Sequence, residues 1–266
     1  EEHDSSFKQH QPAPRYHARD VAIYLAYLHK GKVLLGSATP CVESHYNAKI
    51  GKYALVEMHS RFKNIALPKI ETIDIRKAHL KKQMKHQFAP KMLSAIEETL
   101  EAGKQVILFQ NRRGYSPVIS CGTCAYTPNC NSCDVSLTFH KWNNQLKCHY
   151  CGYTEQVPAV CPSCSANDFS DKGFGTEQIE ESLKELLPEY VTKRMDYDTT
   201  RGKNAHQQII TDFEQGRIDI LVGTQMVTKG LDFDNVSLVG ILNADSMLHF
   251  PDFRAYERAF QLMMQV

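Results

Sequence analysis

The sequence has no uninterrupted apolar run long enough to cross a lipid bilayer, and no apolar segment near its start resembles a signal peptide. It also has no low-complexity tract and no internal repeat apart from paired cysteines. These absences argue against a membrane span and against export, and we expect a cytoplasmic protein. The 266 residues, of which 42% are hydrophobic, are enough for about two domains.

A large net charge is also lacking, since the formal value is +1 at pH 7. The near balance conceals a division along the chain. Residues 1–120 hold 19 Lys and Arg against 11 Asp and Glu, whereas residues 121–266 hold 12 against 19. The basic first part is compatible with a polyanionic partner but does not require one.

Cysteine is concentrated in one stretch, where eight of the nine cysteines form four Cys-x-x-Cys pairs. Two intervening residues let both sulfurs of a pair face one ion, and two pairs complete the tetrahedral thiolate site that zinc prefers. In a chain without an export signal, this spacing favours metal over disulfides. The sequence therefore predicts two Zn²⁺ ions, held by Cys121/Cys124, Cys130/Cys133, Cys148/Cys151 and Cys161/Cys164.

The segment between the second and third pairs indicates how the pairs combine. Val135, Leu137 and Phe139 alternate with polar residues, and Asn143-Asn144 provides a turn before Leu146, which is typical of a β-hairpin. A hairpin brings the two inner pairs together and leaves the outer pairs for each other. We expect nested sites, the first with Cys121, Cys124, Cys161 and Cys164 and the second with Cys130, Cys133, Cys148 and Cys151. A cross-braced arrangement, first pair with third, is the alternative.

Three further residues with metal-ligand chemistry are assigned no ion. Eight thiolates already fill two sites, so we expect His140 and His149 to lie beside the sites or at the surface. Cys41 lies apart in a helical stretch, and we interpret it as a small buried side chain. Since about 45 residues bury little apolar surface, the metal supplies folding energy in the cysteine-rich region.

The first 75 residues begin with Glu1-Glu2-His3-Asp4 and continue with Phe7 and Tyr16 among Lys and Arg. These aromatic and basic residues either stack on and neutralise nucleic acid or form an ordinary exposed loop, and the sequence leaves both open. The hydrophobic pattern predicts two helices, one buried strand and two strand-like runs. They are a helix with Asp20 as N-cap and Gly31 as stop, a buried strand at 32–36, a helix at 41–51, and strand-like runs at 53–58 and 69–75.

The pattern of residues 76–266 predicts alternating helices and strands, an order that favours a parallel sheet. Residues 76–86 hold five Lys and Arg, and we favour a solvated linker over a phosphate contact. The predicted helices are 90–102, 176–187 with Thr176 as cap, 206–215 and 253–264; the predicted strands are 105–109, one ending in 194–200, 218–222 and 236–242. Polar residues follow several strands, and ligands bind at that edge of such sheets.

Two of these strand ends have phosphate-binding chemistry. Arg112 and Arg113 precede a glycine, which suits an anion. Residues 223–233 combine threonine hydroxyls, an amide and a lysine, and predict a grip on a nucleic-acid backbone by Thr224, Gln225 and Lys229. Gly173 and Gly175 precede a helix, but no Gly-Lys-Thr/Ser follows, so this is no Walker A loop.

Several of these motifs resemble those of superfamily 2 helicases. Glu-Glu-His with Gly-Ser-Ala-Thr-Pro is similar to motifs II and III, with an Asp expected before Glu1, and residues 223–233 are similar to motif V. Together with Asn-Arg-Arg-Gly-Tyr, the four cysteine pairs, Gly-Phe-Gly-Thr-Glu and Asp-Phe-Arg-Ala-Tyr-Glu-Arg, they resemble the PriA family of bacterial replication-restart helicases over essentially the whole chain.

The resemblance implies an α/β fold with RecA-like P-loop NTPase helicase lobes and an inserted two-zinc, zinc-ribbon-like region, and it also favours nested zinc sites. The expected divisions are part of lobe 1 at 1–68, the first part of lobe 2 at 69–119, the insertion at 120–166 and the rest of lobe 2 at 167–266. Because a Walker A loop and the arginine-finger segment are not in the sequence, we expect a fragment of the motor that is inactive as an ATPase alone.

The resemblance also implies residue roles in an ATP-driven 3′-to-5′ DNA helicase that acts at stalled forks and D-loops. Glu1 would polarise the hydrolytic water, with Glu2 and His3 completing a box that holds Mg²⁺ on ATP. Ser37 and Thr39 would couple the lobes. Thr224, Gln225 and Lys229 would track single-stranded DNA, and Gly230 and Asp232 would face the nucleotide.

The implied partners are single-stranded and forked DNA, primosome proteins and single-stranded DNA-binding protein, and the implied location is the bacterial cytoplasm, in association with the nucleoid. Two alternatives stay open at this point. One is a stand-alone zinc-ribbon module that binds nucleic acid without a motor. The other is an RNA helicase, against which only the zinc insertion argues.

Overall fold

The computed structural model describes residues 1–9, 11–60, 66–110, 118–140, 143–170, 175–196, 199–200, 204–224, 227 and 233–266. They form two compact units, Glu1–Ile70 and Glu71–Val266. The described helices are α1 (Ala18–Leu28), α2 (Val42–Lys49), α3 (Ile75–Leu80), α4 (Pro90–Glu101), α5 (Thr176–Leu186), α6 (Ala205–Glu214), α7 (Asp245–Leu248) and α8 (Ala255–Gln265). The described strands are β1 (Gln105–Gln110), β2 (Ser120–Cys121), β3 (Thr138–His140), β4 (Gln145–Lys147), β5 (Thr154–Gln156), β6 (Phe169–Ser170), β7 (Thr192–Met195), β8 (Ile220–Gly223) and β9 (Val236–Leu242).

The first unit contains α1 and α2. Helix α1 begins at Ala18 after His17, so the predicted N-cap Asp20 is wrong; Asp20 lies in the first turn, where its negative charge favours the helix dipole. Helix α2 confirms the predicted helix, and Cys41 is its N-cap, with a sulfur that accepts a hydrogen bond from the Ser44 N–H. Cys41 is buried, as expected.

The strands predicted at 32–36 and 53–58 in the first unit, and at 69–75 across the boundary of the two units, are wrong. Residues 32–36, 53–58 and 69–75 have no strand assignment, and Leu34 and Val56 are 92% and 83% exposed. A parallel strand needs neighbours that complete its hydrogen bonds. The described residues of the first unit contain no strand, so the runs at 32–36 and 53–58 have no neighbouring strand there to pair with.

The second unit is organised around a four-stranded parallel sheet with the order β7-β8-β1-β9. The predicted strands 105–109, 218–222 and 236–242 are confirmed as β1, β8 and β9. Every residue of β1 and β8 is buried, as expected for strands covered on both faces. The parallel arrangement places the carboxyl ends of all four strands at one edge of the sheet.

Helices cover both faces of this sheet. Val106 and Leu108 of β1 pack on one face against α4 and α5, and Ile107 and Phe109 pack on the other face against a cluster that includes α6 residues. Helix α8 contributes Ala259 to the second cluster. The period-two alternation of one buried strand therefore builds two apolar layers.

Other predictions need small corrections. The predicted helices at 90–102 and 206–215 are confirmed as α4 and α6. Helix α5 is confirmed, but its N-cap is Gly175, so Thr176 as cap is wrong. Part of the expected linker 76–86 is helical in α3, and α7 was not predicted. None of the described helices is long and apolar enough to cross a bilayer, and α4, the longest of them, has 12 residues.

A cysteine-rich region lies between β1 and α5. The predicted hairpin is confirmed by the antiparallel pairing of β3 with β4, in which Phe139 is opposite Leu146. Strand β5 adds a third strand that the sequence did not predict. Strands β2 and β6 pair antiparallel, Ser120 with Ser170, so the two chain ends of the region lie side by side.

Candidate metal centres and polar strand-end sites

The eight paired cysteines form two groups of four, and within each group all sulfurs lie within 4.8 Å of one another. The nested pairing is confirmed, because the groups are Cys121, Cys124, Cys161, Cys164 and Cys130, Cys133, Cys148, Cys151. The Cys121–Cys164, Cys124–Cys161 and Cys130–Cys151 sulfurs are 3.6, 3.5 and 3.5 Å apart. Four sulfurs about 2.3 Å from one zinc ion lie about 3.8 Å apart, so the geometry fits zinc.

Three of the Cys-x-x-Cys segments share one backbone turn. In each, the N–H of the first cysteine donates to the carbonyl five residues later, and the N–H four residues later donates back to that cysteine. The residue after the second cysteine has positive φ, which costs a residue other than glycine about 1–2 kcal/mol. These residues are Ala125 (φ 58), Gly152 (φ 79) and Ser165 (φ 60).

The turn directs backbone N–H groups at sulfur. Burial acts to raise the pKa of Cys148, but N–H groups of Cys151 and Tyr150 oppose it, and the pKa falls to about 7. In the same group, burial and the neighbouring thiols raise the pKa of Cys133 to about 12. Four sulfurs this close do not all carry negative charge by themselves, whereas a divalent cation favours four thiolates.

The chemistry of the two groups is structural. Each offers four sulfur ligands, which fill a tetrahedral ion and leave no position open for a substrate. The inner group also belongs to a small apolar core, in which Cys130 and Cys148 pack with Val135, Leu137 and Leu146. Among the described residues His140 and His149 are in neither group, as expected, and their rings lie 5.2 Å apart. A bound ion would therefore hold β3, β4 and β5 together.

In the first unit, the acidic residues at the start of the chain contact the Ser-Ala-Thr segment. His3 Nδ1 lies 2.7 Å from Ser37 Oγ and 3.2 Å from a carboxylate oxygen of Glu1. The Thr39 N–H donates to Ser37 Oγ at 2.9 Å. Four residues singled out from the sequence, Glu1, His3, Ser37 and Thr39, are thus brought together.

Glu2 points elsewhere. One carboxylate oxygen accepts from the Cys41 N–H at 2.7 Å, and the other accepts from Arg19 Nη1 at 2.9 Å and from Ser44 Oγ at 3.0 Å. Burial acts to raise the Glu2 pKa, but the hydrogen bonds from Arg19 and Cys41 outweigh it, and the net pKa lies below its usual value. Glu2 therefore ties the N-terminus of α2 to Arg19.

Sequence reasoning missed Arg19, Cys41 and Ser44 as partners of this carboxylate. The one available signal was the acidic box itself, since a carboxylate buried in a protein needs a cation or several donors. Nothing in the spacing identified which of the many Lys and Arg residues supplies the charge.

At the carboxyl edge of the sheet, the described part of the predicted backbone grip is Thr224, which follows β8, and its carbonyl accepts from the Val227 N–H at 3.0 Å. Gly223 precedes it, and a Cβ there would lie 3.0 Å from the Met195 carbonyl oxygen and overlap the Val227 side chain. The other predicted residues of this edge, Arg112, Arg113, Gln225, Lys229, Gly230 and Asp232, lie outside the described residues.

Asp196 is a buried carboxylate at the same edge that sequence reasoning did not single out. Its oxygens accept from Thr176 Oγ1 at 2.7 Å and from the Thr199 N–H at 3.0 Å, and Arg194 Nε lies 3.4 Å away. Burial acts to raise its pKa, but these hydrogen bonds and the charge of Arg194 prevail, and the pKa is lowered. An Asp directly after a predicted strand and three residues before a Thr was the available signal.

Comparison with known families supports two parts of this description. Residues 130–156 match the model of the PriA DNA helicase Cys-rich region domain. Residues 155–261 match the model of the helicase conserved C-terminal domain, a range that covers α5 to α7, the first part of α8 and three of the four parallel strands.

Individual relatives match along the whole chain. The replication restart protein PriA of Bacillus subtilis is 46% identical over 266 residues, which is 100% of this chain and 33% of that protein. PriA of Chlamydia pneumoniae is 44% identical over 268 residues, and PriA of Haemophilus influenzae is 42% identical over 266, each covering 100% of this chain and 36% of the relative. The chain thus spans about a third of the length of these relatives.

Proposed function

This chain belongs to the PriA family of replication restart proteins, and on that premise we propose that it is part of an ATP-dependent 3′-to-5′ DNA helicase. The helicase would act at stalled forks and D-loops and restart replication through primosome assembly. One observation carries the proposal. Two four-cysteine groups lie between β1 and α5 in the chain, and three strands of the parallel sheet fall within the match to a helicase domain. A stand-alone zinc module is not favoured, because the similarity extends over the full chain.

Two zinc ions would serve the insertion, and Mg²⁺ with ATP would serve the motor. Glu1 would orient the hydrolytic water, and its side chain is 54% exposed, which leaves the carboxylate accessible to solvent. His3, held against Ser37, would relay changes at the nucleotide to the Ser-Ala-Thr segment. Glu2 would hold this site together through Arg19 and α2. Mg²⁺ supplies charge neutralisation on the phosphates when bound.

The proposed DNA contacts follow β1 and β8 in the sequence. Thr224, Gln225 and Lys229 would contact the backbone of single-stranded DNA, and Arg112 and Arg113 would add positive charge. Gly230 and Asp232 would face the nucleotide. The proposed partners are single-stranded and forked DNA, primosome proteins and single-stranded DNA-binding protein. No Walker A sequence occurs in the 266 residues, so the chain alone is expected not to hydrolyse ATP.

A segment exchange tests this proposal. The matching segment of Bacillus subtilis PriA, which is 46% identical, is replaced by this chain. We expect the chimera to bind two zinc ions and to unwind forked DNA when supplied with Mg²⁺ and ATP. The Glu1→Gln chimera should keep its zinc and its DNA affinity but lose ATP hydrolysis by at least about 100-fold. A folded, zinc-loaded chimera that neither hydrolyses ATP nor unwinds DNA would contradict the proposal.

A further inference from the structure

One segment of the second unit carries positive charge only. Residues 75–96 contain six Lys and Arg and no Asp or Glu. All six cationic residues are exposed, and they lie on α3, in the turns that follow it, and at the start of α4: Arg76, Lys77, Lys81, Lys82, Lys85 and Lys91. The proposed helicase roles do not use this segment.

Two of the six cations have acidic partners from the preceding residues. Lys77 lies 3.7 Å from Asp74, and Lys91 lies 2.9 Å from Glu71. The remaining four are Arg76, Lys81, Lys82 and Lys85, and no carboxylate in the described part of the chain lies within 4.0 Å of them. Their charges repel one another, so a polyanion that neutralises them is favoured.

The segment is held in place, so its charges form a defined surface. Ala78 and Phe88 are buried, and Phe88 belongs to the core of the sheet. The Gln83 N–H donates to the Ala78 carbonyl at 2.9 Å, and Lys85 and Phe88 exchange two backbone hydrogen bonds of 3.0 and 2.9 Å. An ordered backbone loses less entropy when it binds than a flexible tail does.

The residues between the cations indicate what kind of polyanion fits. Single-stranded nucleic acid binds best where aromatic side chains stack on its bases. Residues 75–96 contain no Tyr or Trp, and their single Phe, Phe88, is fully buried. A protein partner needs an apolar core to its interface, and Leu80 is the one large exposed hydrophobic residue in residues 75–96. A cluster of cations with no exposed Phe, Tyr or Trp and with one exposed apolar side chain suits the phosphate backbone of a duplex.

We propose that residues 76–85 bind the phosphate backbone of duplex DNA without regard to sequence, through Arg76, Lys81, Lys82 and Lys85. The inference rests on the proposed function in taking DNA as the polyanion. It adds a second contact on DNA, in a different part of the sequence from the proposed single-strand contacts after β8. A duplex held here would be fixed against the lobe that carries the zinc insertion.

The salt dependence of binding tests this surface. The zinc-loaded chain is titrated with a fluorescent 20-base-pair duplex between 50 and 200 mM NaCl, as wild type and as Lys81→Gln/Lys82→Gln/Lys85→Gln. The control is Lys104→Gln/Lys184→Gln/Lys193→Gln, which removes three exposed charges from other elements of the same unit. Each lost phosphate contact lowers the slope of log K against log salt by about 0.9, so the first variant should lose about 2–3 and the control little.

Three outcomes would overturn the inference: no duplex binding by the wild-type chain at 50 mM NaCl, an unchanged slope in the first variant, or an equal loss in the control. The first variant placed in the PriA chimera separates this inference from the proposed function. We expect that chimera to lose duplex affinity about 10-fold or more while its ATP hydrolysis with saturating single-stranded DNA is unchanged. Loss of hydrolysis in the otherwise wild-type chimera would count against the proposed function alone.

Discussion

Thr176 Oγ1 donates a 2.7 Å hydrogen bond to a carboxylate oxygen of Asp196, and this bond joins the N-terminus of α5 to the carboxyl end of β7. Both residues are buried. The bond lies next to the strand edge at which the proposed ligands bind, so it fixes where one helix begins relative to that edge. Its contribution to the free energy of unfolding can be compared with that of Thr192, whose buried hydroxyl has no hydrogen-bond partner among the described residues.

The Thr176→Val variant should lower the free energy of unfolding by about 1–3 kcal/mol, because the substitution leaves a buried carboxylate short of one donor. Thr192→Val is the matched control. The Thr192 hydroxyl is buried and has no hydrogen-bond partner among the described residues, so its removal should be neutral or stabilising. Urea unfolding of the zinc-loaded proteins measures both, and equal destabilisation by the two variants would contradict the assignment.

Asp196 should make stability depend on pH. Its pKa is lowered in the folded protein, so the ionised carboxylate contributes stability above its unfolded pKa of about 3.9, and the contribution is lost as pH falls through the folded value. The Asp196→Asn substitution replaces one of the two acceptor oxygens with an NH₂ group, which would face the donors that Asp196 now accepts from. We expect the difference in unfolding free energy between wild type and this variant to be largest near pH 7 and to shrink below about pH 4. A pH-independent difference would rule out an ionised Asp196.

The nested zinc sites predict how paired cysteine variants behave. Cys130→Ser/Cys148→Ser removes two ligands from one site, so one zinc ion per chain should remain. Cys121→Ser/Cys148→Ser removes one ligand from each site, so zinc content should fall towards zero. Cross-braced sites would give the reverse order. Mass spectrometry of the metal content distinguishes the two, and the number of reactive thiols provides an independent count.

The ion pair of Glu2 and Arg19 is nearly buried, with side chains 4% and 13% exposed. Arg19→Met leaves the carboxylate without its cation, and removal of one partner from a buried pair costs about 3–5 kcal/mol. Because Glu2 also accepts from the Cys41 N–H, we expect hydrogen exchange to accelerate at the start of α2. Arg15→Met changes an exposed arginine and is the control. Equal exchange in the two variants would show that the pair is unimportant for the unit.

Tyr150 links the cysteine-rich region to Phe253, two residues before α8 begins. It lies between Cys148 and Cys151, its ring meets that of Phe253 edge to face at 6.3 Å between centroids, and its hydroxyl oxygen accepts from the Phe253 N–H at 3.3 Å. A double-mutant cycle of Tyr150→Ala and Phe253→Ala should give a coupling free energy of about 0.5–1.5 kcal/mol. The same cycle with Phe260, two turns further along the chain, should give none. Zero coupling with Phe253 would mean that the contact adds nothing to stability.

The sequence predicted those features that depend on residues close together in the chain. Cys-x-x-Cys spacing places two ligands of one metal ion within four residues. The apolar run in β1 is typical of a strand buried on both faces. The hairpin of β3 and β4 could also be predicted, because its two strands are close together in the chain. For this reason all eight candidate zinc ligands and their nested grouping could be predicted.

Features that depend on distant partners could not be predicted. Leu34 lies in a run with strand composition, but composition does not show whether neighbouring strands are present. Strand β5 is polar, and its pairing with β4 makes it a strand. Thr176 and Asp196 are 20 positions apart, and Glu2 and Cys41 are 39 apart, so no local periodicity connects them.

The pairing of β2 with β6 has a consequence for how the cysteine-rich region can be exchanged. Residues opposite each other in an antiparallel pair have Cα atoms about 5 Å apart, so the cysteine-rich region leaves the lobe and returns to it through almost the same point. A short loop could close that gap without moving β1 or α5. This junction therefore offers protein engineers a place to graft, shorten or exchange the region between homologues without redesign of the parallel sheet.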